Sequence, residues 1–292
     1  MEQTRQSAIQ ATMEKAMGDL PPLPTIVTKV LQITGDVNGN ASDLERYVSM
    51  DQSLSSKMLR VVNSPYFGIA GQISSISHSI VILGFNQIRN LVLSVGASAM
   101  FASDNERAQP VHLDFWRHSM ATATCATAIA KHKKFAVKEL ELTFVTSMIA
   151  NVGALFLLKH LTLPYLQVYD RWDQHRQVPL SHFENAVFGM THADVAEKLC
   201  QQWNLPDEIA ASLKQHEGPF ENTDNPVALA LHLADRLATM VISGQELKGQ
   251  IFGADESAVA WLDAEIEQIE LFKAEAKVKL EDSNDMLDSL AA

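Results

Sequence analysis

Residues Leu140–His160 read LELTFVTSMIANVGALFLLKH. Over this length such dense apolar residues predict a buried helix rather than a strand. The pattern continues on both sides. Phe115 to Lys133 is a long helix rich in Ala and Thr, and Phe183 to Trp203 and Pro206 to His216 are helical again. Pro206, Asp207 and Glu208 make a good first turn, because acidic groups favour the positive end of the helix dipole. Pro226 to Ile242 is an apolar helix containing Asp235, and beyond Ala254 an acidic amphipathic helix ends in a polar tail.

The N-terminal third gives the same class of element. A short amphipathic helix spans about residues 6–17, and Leu20-Pro-Pro-Leu-Pro24 cannot continue it, since proline lacks an amide donor. Pro24 suits the first turn of a helix carrying Ile26, Val27, Val30 and Leu31 on one face. Residues 36–40 predict a turn. Ser42 and Glu45 predict a capping box, and Asp51 caps the next helix. Asn63-Ser-Pro-Tyr-Phe-Gly68 must be a turn or loop. Ile80–Leu83 and Ile88–Val95 predict two helices meeting at Gly84. The polar stretch Asp104–Gln109 marks a boundary. The division expected is an N-terminal helix (1–19), a helical subdomain (20–110), a second helical subdomain (111–245) and an acidic extension (246–292). The fold class is all-α, a multi-helix bundle.

Of 292 residues 47% are hydrophobic, enough for a large core, and the net charge is -12. An acidic surface repels phosphate backbones, so no nucleic-acid partner is expected. Cys125 and Cys200 lie in apolar helical stretches without CxxC spacing, as buried free thiols of a reducing compartment do. The first 17 residues hold no continuous apolar core for a leader, and no run reads as a membrane span. A cytoplasmic chain without a membrane partner is the expectation.

The chemistry-bearing residues are His118, His192, His216 and Asp235, each on a predicted helix or helix end. Imidazoles and carboxylates from several helices of a bundle can build a metal site, although a single helical His is more often simply hydrogen-bonded. Trp116 and Trp203 read as core anchors. Asn63, Ser64 and Tyr66 form a polar loop that could contact a ligand or partner, with turn formation as the alternative. Arg60 and Arg89 read as ion-pairing residues.

Leu20–Pro24, Asp51-Gln-Ser-Leu-Ser-Ser-Lys-Met-Leu-Arg-Val-Val-Asn-Ser64 and Ile80-Val-Ile-Leu-Gly84 occur in order. Phe115-Trp-Arg-His118, Glu184-Asn-Ala-Val-Phe-Gly-Met-Thr-His192, Trp203-Asn-Leu-Pro206 and Lys214-Gln-His216 follow. This ordered set resembles the HDOD family, output domains related to the HD metal-dependent phosphohydrolases, over roughly residues 20–240. The resemblance implies an HD-like bundle used in bacterial signal transduction. In the HD enzymes a His, an adjacent His-Asp doublet and a later Asp hold divalent ions, which polarise a phosphoryl oxygen and activate water.

By that resemblance His118 matches the first His and Asp235 the last Asp, while the doublet falls on Ala150-Asn151 within Ser147-Met-Ile-Ala-Asn-Val-Gly153. Alanine has no ligating atom, and a neutral amide is a poorer ligand than carboxylate. The resemblance therefore implies a regulatory module with a degenerate site, acting through a protein partner or ligand. No cofactor is expected. The alternative is a phosphohydrolase of nucleotides or cyclic dinucleotides, holding a weak divalent metal on His118, His192, His216 and Asp235. A third reading is a nucleotide sensor that binds phosphate through the histidines without ions.

Overall fold

The computed structural model describes residues 2–35, 40–220, 224–247 and 250–283. Among them all regular structure is helical, as the sequence predicts. The order is α1 (Glu2–Gly18), α2 (Thr25–Gly35), α3 (Ala41–Met50) and α4 (Gln52–Val62), then a single 3-10 turn at Pro65–Phe67. There follow α5 (Ile76–Leu83), α6 (Phe85–Met100), α7 (Ala108–His132), α8 (Val137–Met148) and α9 (Val152–His160). The chain continues through α10 (Thr162–Asp173), α11 (Leu180–Phe188), α12 (His192–Gln202) and α13 (Asp207–Gln215). It closes with α14 (Pro226–Ile242), α15 (Glu256–Leu262) and α16 (Ile266–Asp282). The turn expected at 36–40 lies outside the described residues except for Asn40, as does most of the C-terminal polar tail.

Two compact units result. The smaller is built from residues 23–100 with 278–283. Here α3 starts two residues earlier than Ser42 would have it. Asn40 is the N-cap, its side chain accepting from the Asp43 amide, and Glu45 instead accepts a hydrogen bond from Ser77 Oγ at 2.7 Å. Asn and Ser are equally good caps, so local sequence does not choose between them. Asp51 caps α4 through the Leu54 amide. Gly84, at φ 85°, makes the sharp turn between α5 and α6 that a side chain would strain. Asn63 ties its loop shut: its amide donates to Leu59 O and Ile73 O, and its oxygen accepts from the Ile73 amide. Ser64 and Tyr66 are buried, and Ser64 Oγ donates to Val61 O. The side chains of Asn63 and Ser64 thus help to close this loop.

The larger unit holds residues 2–22 and 101–277. Its centre is α7 against α14. Pro226 sits at the first position of α14 and Asn225 caps it through the Ala228 amide. The helix then buries Ala228, Leu229, Leu233, Leu237 and Met240 against Cys125, Ala126 and Ile129 of α7, with Phe272 and Ala276 of α16. Burial of this kind stabilises by roughly 1.5–3 kcal/mol per large side chain. Both cysteines are free and buried. Trp116 is buried, and Trp203 donates from Nε1 to Pro21 O at 2.9 Å.

The stretch 140–160 is not one helix. It breaks after Met148, and Ile149–Asn151 form a turn before α9. By length and composition alone residues Val137–His160 would suffice to cross a membrane, contrary to the sequence reading, but 83% of its most apolar window is buried inside the protein. Likewise Phe183–Trp203 breaks at Gly189–Thr191, where Gly189 takes φ 70°. Both breaks put polar residues at helix ends facing the unit's interior.

Candidate functional site

The turn between α8 and α9 brings Asn151 to α7. Its side-chain nitrogen lies 3.2 Å from His118 Nδ1 and donates to Ser119 Oγ at 3.0 Å. His118 Nε2 is 3.0 Å from Thr239 Oγ1, which donates its own proton to Asp235 O one turn back on α14. That chain of donors sets the tautomer: His118 carries its proton on Nε2 and turns its lone pair on Nδ1 toward the Asn151 amide. Thr122 Oγ1 adds a longer contact to Nδ1 at 3.4 Å. Asp235 stands 3.7 Å from the same nitrogen. Burial holds His118 below the ordinary histidine value, with Asp235 only partly offsetting it, so the ring is neutral near pH 7. Ala150, beside Asn151, is buried and carries no polar side chain.

A second cluster lies at the start of α12 and the end of α13. Thr191 caps α12 in a capping box with Asp194, placing His192 at the first helical position. Glu184, fully buried on α11, takes both the His192 backbone N–H and ring Nδ1 at 2.7 Å on one oxygen. Its other oxygen accepts from Tyr165 Oη at 2.6 Å. Both oxygens of this buried carboxylate are therefore occupied. His192 Nε2 points the other way, 3.3 Å from Glu217 Oε1.

His216 ends α13 and is completely buried. Its Nδ1 lies 2.5 Å from Leu213 O, and its Nε2 faces the same Glu217 Oε1 at 3.4 Å without making a hydrogen bond. The second Glu217 oxygen accepts from Ser181 Oγ at 2.7 Å and from Arg236 Nη2 at 2.9 Å. Arg236 also approaches Asp235 Oδ2 at 3.6 Å. Burial alone would raise the Glu217 carboxyl, but Arg236 and the two histidines hold it well below the usual range. Burial opposes charge on His192 too, and the carboxylates of Glu184 and Glu217 outweigh it, lifting the ring well above the ordinary value. His216 is lowered by burial.

His232 supports this cluster from α14. The Asp255 amide donates to its Nε2 at 2.9 Å, so its proton sits on Nδ1 and is donated to His216 O at 2.7 Å. Burial first, then Arg236, lowers it to about 4.

The four residues singled out in the sequence thus fall into two pairs. His118 stands with Asp235, and His192 with His216. Among the described residues, the group with metal-ligating atoms close enough to share one ion is His192, His216 and Glu217, and neither His118 nor Asp235 belongs to it. The HD metals implied by the fold are therefore tested on two donor sets. At the doublet position the set does not fit: Asn151 presents an N–H to His118, and His118 has no lone pair left over. At Glu217 three donors converge and the set fits. Sequence reasoning passed over Glu184, Glu217 and Arg236. Glu184 opens the run Glu184–His192, Arg236 follows Asp235, and the carboxylate of Glu217 directly after His216 is the available signal.

The HDOD domain family matches this chain over residues 20–219. A curated relative, an uncharacterised protein of Treponema pallidum (strain Nichols), is 24% identical over 218 residues, 73% of this chain. The chain spans 40% of that relative's length. A candidate signal transduction protein from Marinobacter aquaeolei VT8 superposes with a TM-score of 0.73 at 18% identity, covering 98% of this chain and 66% of the other. A candidate phosphohydrolase from Shewanella amazonensis SB2B superposes with a TM-score of 0.67 at 17% identity, covering 97% of both. At such identity these likenesses establish the shared helical fold.

Proposed function

Because this chain belongs to the HDOD family, we propose that it is a regulatory signalling module that contacts a protein partner and does not hydrolyse phosphate esters. The observation that carries this reading is the Asn151 amide held 3.2 Å from His118 Nδ1. In an HD enzyme the residue at that position supplies an anionic oxygen to a metal. Here it supplies a donor, and it uses up the one lone pair of a neutral ring whose other nitrogen bonds Thr239. No bridging carboxylate remains at 150 and 151, so nothing there lowers the pKa of a metal-bound water or clamps a phosphoryl oxygen.

The convergence of His192, His216 and Glu217 favours a second reading, a phosphohydrolase whose metal has moved to that cluster. Divalent metal bound there would supply Lewis acidity; this chain's contribution would be to hold Glu217 through Ser181 and Arg236 and to orient His192 through Glu184. A phosphate-release assay separates the two. Purified protein is incubated with Mg²⁺, Mn²⁺ or Zn²⁺ and a panel of nucleoside phosphates and cyclic dinucleotides. The regulatory reading expects release no faster than from a Glu217→Gln variant. Turnover that this substitution abolishes would replace it with the second reading.

A further inference from the structure

We propose that His192, His216 and Glu217 form a mononuclear site for a borderline transition-metal dication such as Zn²⁺, independent of the HD positions 118, 150, 151 and 235. The inference does not depend on the regulatory reading, since a metal here could serve either a binding module or an enzyme.

The argument begins with proton placement. His192 Nδ1 faces the Glu184 carboxylate at 2.7 Å and His216 Nδ1 faces the Leu213 carbonyl at 2.5 Å. Each acceptor fixes a ring proton on Nδ1, so Nε2 is the atom of each ring left to meet a cation, at His192 by giving up the second proton that the two carboxylates hold on it. Both Nε2 atoms then point at one carboxylate oxygen, Glu217 Oε1, at 3.3 and 3.4 Å. A divalent ion at that point would replace the proton His192 Nε2 holds against Glu217 and would give His216 Nε2 a partner. His216 Nε2 is buried and has no hydrogen-bond partner, an expensive state for an imidazole nitrogen.

The distances leave room for an ion in place of that proton. Charge-assisted N–H···O contacts run about 2.7–2.9 Å, which is what His192 Nδ1 makes with Glu184. Its Nε2 stands 3.3 Å from Glu217 Oε1, and His216 repeats the longer spacing. Metal–ligand bonds of about 2.0–2.1 Å in a tetrahedron place neighbouring ligand atoms about 3.3–3.4 Å apart. The two histidine-to-carboxylate separations are thus those of a coordination edge, and all three donor atoms lie within 4.8 Å of one another.

The surroundings are those that orient ligands. A metal-binding histidine usually donates its other N–H to a carboxylate or a carbonyl, and ligating carboxylates are themselves hydrogen-bonded. Glu184 and Leu213 play the first part, and Ser181 and Arg236 hold the spare Glu217 oxygen. The donor set, two imidazoles and one carboxylate, suits Zn²⁺ and its neighbours rather than Mg²⁺ or Ca²⁺, which prefer all-oxygen shells.

Cobalt titration of the chelator-treated full chain tests the proposal. The expected result is uptake of one Co²⁺ per chain with the intense visible bands of low-coordinate cobalt, displaced by Zn²⁺. Glu217→Gln and His216→Gln should abolish these bands, whereas His118→Gln should keep them. Glu184→Gln, which touches no metal, should weaken the affinity about 10–100-fold while one site remains. Circular dichroism of each variant establishes that it is folded. No uptake by the wild type, bands that survive Glu217→Gln, or bands lost in folded His118→Gln would each overturn the proposal.

Discussion

Gly153 and His192 meet backbone to backbone: a Cβ on Gly153 would overlap the His192 carbonyl oxygen and stand 3.0 Å from the Ala196 amide. The first turn of α9 therefore lies directly against the first turn of α12, and the residue two before Gly153 is Asn151. One close approach thus sets both the turn that aims Asn151 at His118 and the helix end that carries His192.

Gly153→Ala should accordingly destabilise the fold, because the added methyl meets backbone and not a movable side chain. Overpacking of this kind costs about 1–3 kcal/mol. Urea unfolding would show it as a lowered midpoint, and an unchanged midpoint would mean that the two helices can part freely.

Asn151→Asp removes the N–H that His118 Nδ1 accepts and places a carboxylate beside a ring that already has Asp235 at 3.7 Å. Two nearby anions favour the imidazolium. The His118 titration followed by NMR should move upward relative to wild type. A midpoint that stays where it was would show that the 3.2 Å contact has no electrostatic consequence.

The pH dependence of stability follows from the same ring. His118 has a folded-state pKa below its ordinary value of 6.5, through burial. At pH values below that, the unfolded chain binds a proton that the folded chain refuses, so stability falls as pH falls. His118→Gln removes this contribution. The stability gap between wild type and variant should therefore shift in the variant's favour between neutral pH and about pH 5. Parallel denaturation curves at both pH values would count against a neutral buried His118.

Cys125 and Cys200 are pushed up to about 12 by burial, with Glu275 adding to the rise at Cys125. The thiolate is the reactive form. Iodoacetamide should leave both unmodified in the native protein at mildly alkaline pH and label both once denaturant is added. Rapid labelling of either in the native state would show an opening of the core near α7 or α12.

Much of this architecture is legible in the sequence, and what is missed has identifiable causes. Pro226–Ile242 is read to the residue, because Asn225-Pro226 caps its start and an apolar face runs its length. The break at Ile149–Asn151 does not show in the apolar pattern, which continues across it; a helix junction at Asn151, ending at Gly153, follows only from the resemblance, and the structure has it between α8 and α9. The same break makes a membrane-length window out of two short helices. Trp203 is legible as a core residue, but its bond to Pro21 joins residues 182 positions apart. No local pattern reports that residues 2–22 join the unit built from 101–277.

The candidate site is half legible for a similar reason. Ala150 and Asn151 stand out because a resemblance says what should be there. Glu217 does not, because an acidic residue just after a helix looks solvated. Its burial follows from Arg236, 19 positions later, and from two histidines on different helices. The ligand set that the resemblance suggests, His118 with His192, His216 and Asp235, becomes two pairs once Asn151 is seen to occupy His118.

That occupancy is the central claim, and ¹⁵N-edited NMR of the His118 ring in Zn²⁺-titrated protein measures it directly. The account expects a neutral ring protonated on Nε2, with Nδ1 accepting a hydrogen bond, and no change at His118 as zinc is added. A His118 nitrogen that shifts to the metal-bound range at stoichiometric zinc would contradict it.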